Sequence, residues 1–276
     1  MRIGVFGLGI IGSRTASRLQ SNPDHEVRLW NRTPKGLDGE VDQAAGAAEG
    51  AEVAALYLKD SGAVRQVIEA IQDSLPAGAL LLNHSTVDLE TTRWLESQSE
   101  IRGWRFLDAP FTGSRDAAAD GKLVYYAGGE MSLIDEATPL LLETGREVIP
   151  CGTVGQATII KLVTNLISAC TVQALSEAMA TAMAQGIKPE TFAKAVNSNA
   201  CGSVLSGMKL PTMATGDFTT HFSLDNMLKD SRYVRMLAEG LETPAIDAVS
   251  ARMAALCEAG MSNLDYSALM APYLKP

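Results

Sequence analysis

The chain has 276 residues, enough for one large or two modest domains with proper cores. Aliphatic and small residues far outnumber aromatics, and a formal net charge of −9 argues against nucleic acid or an anionic membrane as a partner. The start reads as a strand and turn rather than a signal peptide, and no apolar run approaches the ~18 residues a spanning helix needs.

Arg2 to Phe6 is a short buried strand, followed at once by Gly7-Leu8-Gly9-Ile10-Ile11-Gly12 and a helix from about Ile10 to Leu19. This is G-x-G-x-x-G in the setting that gives it meaning, with a strand before it and a helix after. The first glycine permits a tight turn, the second lets a pyrophosphate approach the backbone, and the third lets helix and strand pack closely. The helix N-terminus then faces the phosphates with free N–H groups. A second strand, Glu26 to Trp30, follows at βαβ spacing. It ends in Asn31-Arg32-Thr33, where an NAD enzyme usually carries Asp or Glu for the ribose hydroxyls. Without that carboxylate, the Arg32 guanidinium and Thr33 hydroxyl suit a 2′-phosphate, so NADP(H) is the expected cofactor.

Strands and helices keep alternating. Strands are predicted at Val53–Leu58, Ala79–Asn83, Arg105–Asp108, Lys122–Tyr126 and Arg146–Ile149. Helices are predicted at Ser61–Asp73, from near Asp88, and at Leu133–Leu142. The pattern is that of an α/β domain with a Rossmann-like, doubly wound, mostly parallel sheet. Ligands on such sheets lie outside the carboxyl ends of the strands, which places Leu58-Lys59, Ser85-Thr86 and Asp108 to Ser114 around one cleft.

Beyond residue 150 the strand signals stop. A long helix over about 155–185 is so rich in apolar and small residues that it should be buried on nearly every side. It carries Lys161 and Asn165, four residues apart and therefore on one face. An ammonium in that setting needs water, a counter-charge or a substrate. Further helices follow at about 188–198, 203–214, 224–239, 244–259 and 265–271. The expected division is a nucleotide-binding domain over 1–152 and an all-α domain over 153–276, with the long helix as spine. Cys151, Cys170, Cys201 and Cys257 lack Cys-x-x-Cys or histidine spacing, so neither disulfides nor a metal are expected, and a reducing cytoplasm is the expected setting. His25, His84 and His221 have no partners at ligand or triad spacing and read as structural or surface residues.

Four blocks together resemble the β-hydroxyacid dehydrogenase family, which includes 3-hydroxyisobutyrate dehydrogenase. They are the glycine-rich turn, Asp108-Ala-Pro-Phe-Thr112-Gly113-Ser114 with Asp120-Gly-Lys-Leu123, Gly155 through Lys161 to Asn165, and Phe222 through Lys229-Asp230. Asn31-Arg32-Thr33 and Ser85-Thr86-Val87-Asp88 are most similar to the NADPH-dependent glyoxylate and succinic semialdehyde reductases of that family. The resemblance implies that Lys161 is the catalytic lysine and that Asn165 orients the substrate. It implies that Thr86 contacts nicotinamide ribose and substrate, that Thr112, Gly113 and Ser114 hold the substrate carboxylate, and that Phe222 and Asp230 line the pocket. Leu58, Lys59 and Lys229 would lie on the cofactor side, Lys59 standing where the family often has Pro. Thr112 replaces the usual Ser, and the short 31–53 stretch suggests a trimmed or missing helix.

These roles imply hydride transfer between NADP(H) and a small carboxylate-bearing aldehyde or its hydroxy acid, in a homodimer or homotetramer formed through the helical domain. An imine reductase of the same architecture and a silent NADPH-binding scaffold are the rival readings. Relatives of either kind generally lack the lysine.

Overall fold

The computed structural model describes residues 1–274, so positions 275 and 276 of the expected second domain lie outside the described residues. The chain divides into two compact units, Met1–Lys161 and a second from Leu162 onward.

The first unit runs β1 (Arg2–Phe6), α1 (Gly12–Gln20), β2 (Glu26–Trp30), α2 (Ala44–Ala48), β3 (Val53–Leu56), α3 (Ser61–Ile71), β4 (Leu80–Asn83), α4 (Leu89–Arg102), β5 (Arg105–Asp108), β6 (Phe111–Thr112), α5 (Arg115–Ala119), β7 (Leu123–Gly128), α6 (Met131–Leu142) and β8 (Gly145–Gly152). The sheet order is β2-β1-β3-β4-β5-β7-β6, with β8 also paired to β7. Strands β2 to β5 are mutually parallel, as are β7 and β8. The mostly parallel Rossmann-like sheet is therefore present. Alternation along each strand feeds two cores: Ile3, Val5, Leu80 and Leu82 enter one, while Phe6, Leu56 and Leu81 enter the other.

Two local features of this unit stand out, the first of them as expected from the short 31–53 stretch. After β2 the crossover is reduced to the five-residue α2, and the chain first runs along the β2 edge, with Leu29 bonded to Gly39 and Val41. Glu40 holds that turn by accepting from the N–H groups of Lys35 and Leu37. The run from Asp108 to Ser114, in turn, is not a free loop. It continues antiparallel along β7, first as Asp108 opposite Gly128 and then as β6.

The second unit is helical, as expected. The helix α7 (Gln156–Ala184) leads into α8 (Pro189–Asn197), α9 (Val204–Thr215), α10 (Leu224–Leu237) and α11 (Pro244–Leu256). A π turn at Cys257–Met261 and a 3₁₀ helix at Tyr266–Tyr273 follow. Local chemistry sets these ends. Ser203 and Ser223 cap α9 and α10, Pro189 and Pro244 open α8 and α11, and Gly216 ends α9 in the left-handed region.

Two expectations for α7 are corrected. It is not buried on nearly every side: a stripe of Ala169, Val172, Leu175, Ser176 and Met179 is buried, whereas Ile167 is 64% exposed. By length and composition alone it also qualifies as a membrane-crossing helix. Counting uninterrupted apolar residues missed this, because Thr, Ser, Asn and Gln break the run while Lys161 and Glu177 are its only charges.

The division between units falls inside α7, later than the expected 152/153. Its first turn is tied into the first unit, because Gly155 and Thr158 are bonded to Asp108 at the end of β5.

Candidate active site

The three glycines of the first turn have different jobs. Gly7 has φ +100°, and a Cβ there would lie 2.3 Å from the Tyr57 carbonyl oxygen. A Cβ on Gly12 would lie 2.0 Å from the Gly7 carbonyl oxygen. Close packing thus excludes side chains at both positions. A Cβ on Gly9 would meet nothing within 4 Å, so its backbone is open to a ligand. No side chain caps the start of α1, and Ile10 beside it is exposed. Leu8 is buried and Ile11 packs on the core, so those two support the turn from beneath.

Asn31 holds the turn from the other side. Its Oδ1 accepts from the Leu8 N–H at 2.9 Å, and its Nδ2 donates to the Thr33 carbonyl at 2.6 Å. Arg32 and Thr33 are exposed at the end of β2, and the Arg32 guanidinium makes no hydrogen bond or ion pair among the described residues. An open glycine, an uncapped helix start and an unengaged guanidinium fit a dinucleotide phosphate chain.

Backbone bonds from Tyr57 to Phe6, His84 to Leu56 and Ala109 to Asn83 put Gly7, Tyr57, His84 and Ala109 in a row along the carboxyl edge. Leu58 is half-buried and donates its N–H to Ser85 Oγ at 2.9 Å, and the Ser85 hydroxyl bonds the Leu56 carbonyl. Ser85 thereby joins the ends of β3 and β4. Lys59 is exposed and Thr86 half-buried.

Below this edge lies an aromatic cluster that the sequence reading missed. The Tyr57 ring stacks on His84 at 4.6 Å, and Phe111 and Tyr125 pack around them. His84 donates Nδ1–H to the Ala109 carbonyl at 2.7 Å. Burial lowers its pKa to about 4, so the ring is neutral at physiological pH. Burial also raises the Tyr57 phenol well above its usual value. Aromatic residues directly after two adjacent parallel strands were the available signal, and isolated histidine spacing hid it.

Lys161, in the second turn of α7, is half-buried with Nζ 5.9 Å over the Phe111 ring. Phe111 immediately precedes Thr112, so one stretch carries both the lysine's aromatic neighbour and the expected carboxylate ligands. Thr112 lies in β6 opposite Val124. Gly113 is exposed with φ +138°, where a Cβ would come 2.8 Å from Leu123. The Ser114 hydroxyl oxygen accepts from the Ala117 N–H and caps α5, leaving its hydrogen to donate elsewhere.

In the second unit, Asn165 donates Nδ2–H to Asp230 Oδ2 at 2.7 Å. A carboxylate only accepts, so this bond fixes which way the amide faces and turns its oxygen away from Asp230. Asp230 is fully buried, and Lys229 Nζ lies 2.8 Å from its other oxygen and 5.0 Å over the Tyr233 ring. Phe222 packs edge-on against Tyr266, and its N–H donates to Asp265. Asp265 is itself paired with the buried Lys209 at 2.6 Å, a pair the sequence reading did not anticipate. Among the described residues no cluster of His, Cys, Asp and Glu is arranged to hold a metal ion.

Comparison with known proteins shows the family of the chain. Residues 2–155 match the family described as the NAD binding domain of 6-phosphogluconate dehydrogenase. Residues 155–273 match the NAD-binding region of NADP-dependent 3-hydroxyisobutyrate dehydrogenase. An uncharacterized oxidoreductase of Synechocystis sp. is 31% identical over 89% of this chain and 88% of its own length. Glyoxylate/succinic semialdehyde reductase 1 of Arabidopsis thaliana is 28% identical over 98% of this chain and 97% of its own. Among solved structures, the 3-hydroxyisobutyrate dehydrogenase of Mycobacterium tuberculosis with L-serine superposes with a TM-score of 0.89, covering 99% of both chains at 23% identity, a likeness of fold. The chain belongs to the β-hydroxyacid dehydrogenase family, NAD(P)-dependent enzymes acting on CH–OH donors.

Proposed function

We propose that this enzyme uses NADP(H) to interconvert a small carboxylate-bearing aldehyde and its hydroxy acid, with Lys161 as proton donor and acceptor. The observation that carries the reading is the seating of Lys161 over Phe111, beside Thr112, in the unit whose Gly9 backbone stands open. Bound NADP(H) supplies the hydride for reduction and receives it in oxidation. As charge develops on the carbonyl oxygen, the Lys161 ammonium donates a proton to it, and in oxidation the lysine takes the hydroxyl proton back. Asn165, its amide fixed by Asp230, orients the reacting group from one helical turn further on. The Thr112 hydroxyl, the Gly113 N–H and the free hydrogen of the Ser114 hydroxyl serve the substrate carboxylate.

The unengaged Arg32 and the absence of a carboxylate at the end of β2 favour NADPH over NADH. The activity named for the Arabidopsis relative supplies the first probes, glyoxylate and succinic semialdehyde. We further propose that the chain assembles as a homodimer or homotetramer, because the long apolar α7 leaves Ile167 uncovered in the single chain. A reducing cytoplasm is the proposed compartment, in keeping with four free thiols.

The test is NADPH oxidation with glyoxylate and succinic semialdehyde, with Lys161→Ala and Arg32→Ala run beside the wild type. Expected are loss of turnover by about three orders of magnitude in the lysine variant with cofactor binding kept, and a narrower NADPH-over-NADH preference in the arginine variant. Wild-type turnover by Lys161→Ala would remove the lysine mechanism. Reduction of cyclic imines but of neither aldehyde would move the enzyme to imine chemistry.

A further inference from the structure

Gly152 and Gly155, at φ +107° and +90°, lead into α7, and its first turn is held by side-chain bonds from two other elements. The Thr92 hydroxyl of α4 meets that of Thr158 at 2.9 Å, and one buried carboxylate makes three further bonds. Asp108 Oδ2 accepts from the N–H groups of Gly155 at 3.1 Å and Thr158 at 2.9 Å, and Oδ1 accepts from the Thr158 hydroxyl at 2.8 Å. Lys161 follows Thr158 by three residues, about 4.5 Å further along the axis. Asp108 also begins the stretch that runs through Phe111 to Ser114. A single carboxylate therefore ties together the strand end, the expected carboxylate-binding stretch and the turn before the lysine.

We propose that Asp108 is a positioning residue for Lys161, clamping the first turn of α7 to the carboxyl end of β5. The lysine is then placed from within the unit that carries the glycine-rich turn. The inference rests on the proton-donor reading of Lys161 given above.

The clamp works through hydrogen bonds rather than charge. Asp108 has no ion pair among the described residues. Burial pushes its carboxyl up, the bonds from Thr158 and Gly155 pull it down, and Glu96 of α4 raises it again, to a net value of about 6. Burial holds the Cys151 thiol of β8 up, and the Asp108 charge adds to that. A protonated Asp108 keeps every contact. Oδ2 still accepts from the two N–H groups, while Oδ1–H donates to Thr158 Oγ1, whose own hydrogen turns to Thr92 Oγ1 at 2.9 Å. An asparagine amide oriented in the same way makes the same set.

That equivalence sets the test. With the full chain, NADPH and glyoxylate, kcat, KM and the NADPH dissociation constant are measured for wild type, Lys161→Ala, Asp108→Ala, Asp108→Asn and Thr158→Val. Asp108→Ala should lose about 100-fold in kcat while holding NADPH within about threefold, since a small misplacement of a reacting group has that effect. Asp108→Asn should recover kcat to within about threefold, and Thr158→Val should lose about fivefold. The proposal is overturned if Asp108→Ala keeps its kcat, if asparagine is as poor as alanine, or if kcat falls only in step with NADPH binding. Should Asp108→Ala not fold, an unchanged kcat in Thr158→Val overturns it and a selective loss there, with asparagine active, supports it. A fully active Lys161→Ala sinks the proton-donor reading instead, and this inference with it.

Discussion

Asp108 in the first unit and Asp265 in the second are both buried carboxylates that hold a segment by its backbone N–H groups, yet their charges fare in opposite ways. Asp265 accepts from the N–H groups of His221, Phe222 and Ser267, and also from Lys209 at 2.6 Å. Burial pushes its carboxyl up, but the Lys209 ammonium and these bonds bring it below the usual carboxylate value. Asp108, bonded to N–H and hydroxyl groups alone, is left at about 6. Neutral donors satisfy a buried carboxylate's geometry without offsetting the loss of hydration, and a nearby cation does offset it. The first arrangement suits a clamp that tolerates either protonation state. In the second, removing the cation leaves a charge stranded.

The largest expected effect breaks the second arrangement. Lys209→Met leaves Asp265 buried without its cation, and should destabilise the protein by about 3–5 kcal/mol at pH 7 in denaturant unfolding. That loss should shrink towards pH 4 as the stranded carboxyl takes a proton, and a loss below about 1 kcal/mol would end the contrast. Asp108→Asn should act in the opposite direction, stabilising by on the order of 2 kcal/mol at pH 8.

The sign follows from the two states. The folded value of about 6 lies above the ordinary 3.8, so the native state binds the proton more tightly and the wild type gains stability as pH falls from 6 towards 3.8. Asparagine lacks that gain, so its advantage should vanish by about pH 4. Asp265, held below 3.8, adds stability that is present above 3.8 and lost as pH falls through its folded value. A pH-independent difference between wild type and Asp108→Asn would contradict this account. The smallest effect belongs to Thr158→Val, which removes one bond to Asp108 and the bond between the Thr92 and Thr158 hydroxyls, and should cost about 1.5 kcal/mol by the same unfolding measurement. A loss as large as that of Lys209→Met would mean that the two carboxylates do not differ as argued.

Much of the architecture was legible in the chain. The strand Glu26–Trp30 was read with its observed limits, and a helix expected over 155–185 forms as Gln156–Ala184. Those elements carry strong local patterns, alternation in one case and a long stretch without Gly or Pro in the other. The pairing of Phe111–Thr112 with β7 was not legible, because two residues have no period and their partner lies in a different strand. The burial of α7 was misread for a related reason: an apolar composition says what a face tolerates, not whether anything covers it.

Within the site the same boundary holds. The sequence by itself determined the tight turn at Gly7 and the close packing at Gly12, because turn geometry and strand–helix packing over a dozen residues leave few alternatives. Tertiary structure decided that Asn31 braces the glycine turn, that His84 lies neutral beneath Ala109, and that Asp230 orients Asn165. It also decided that Asp108 reaches residues 47 and 50 positions away to hold the helix of Lys161. A side chain's hydrogen-bond partner depends on which distant segment the fold brings to it, and neither residue type nor spacing records that.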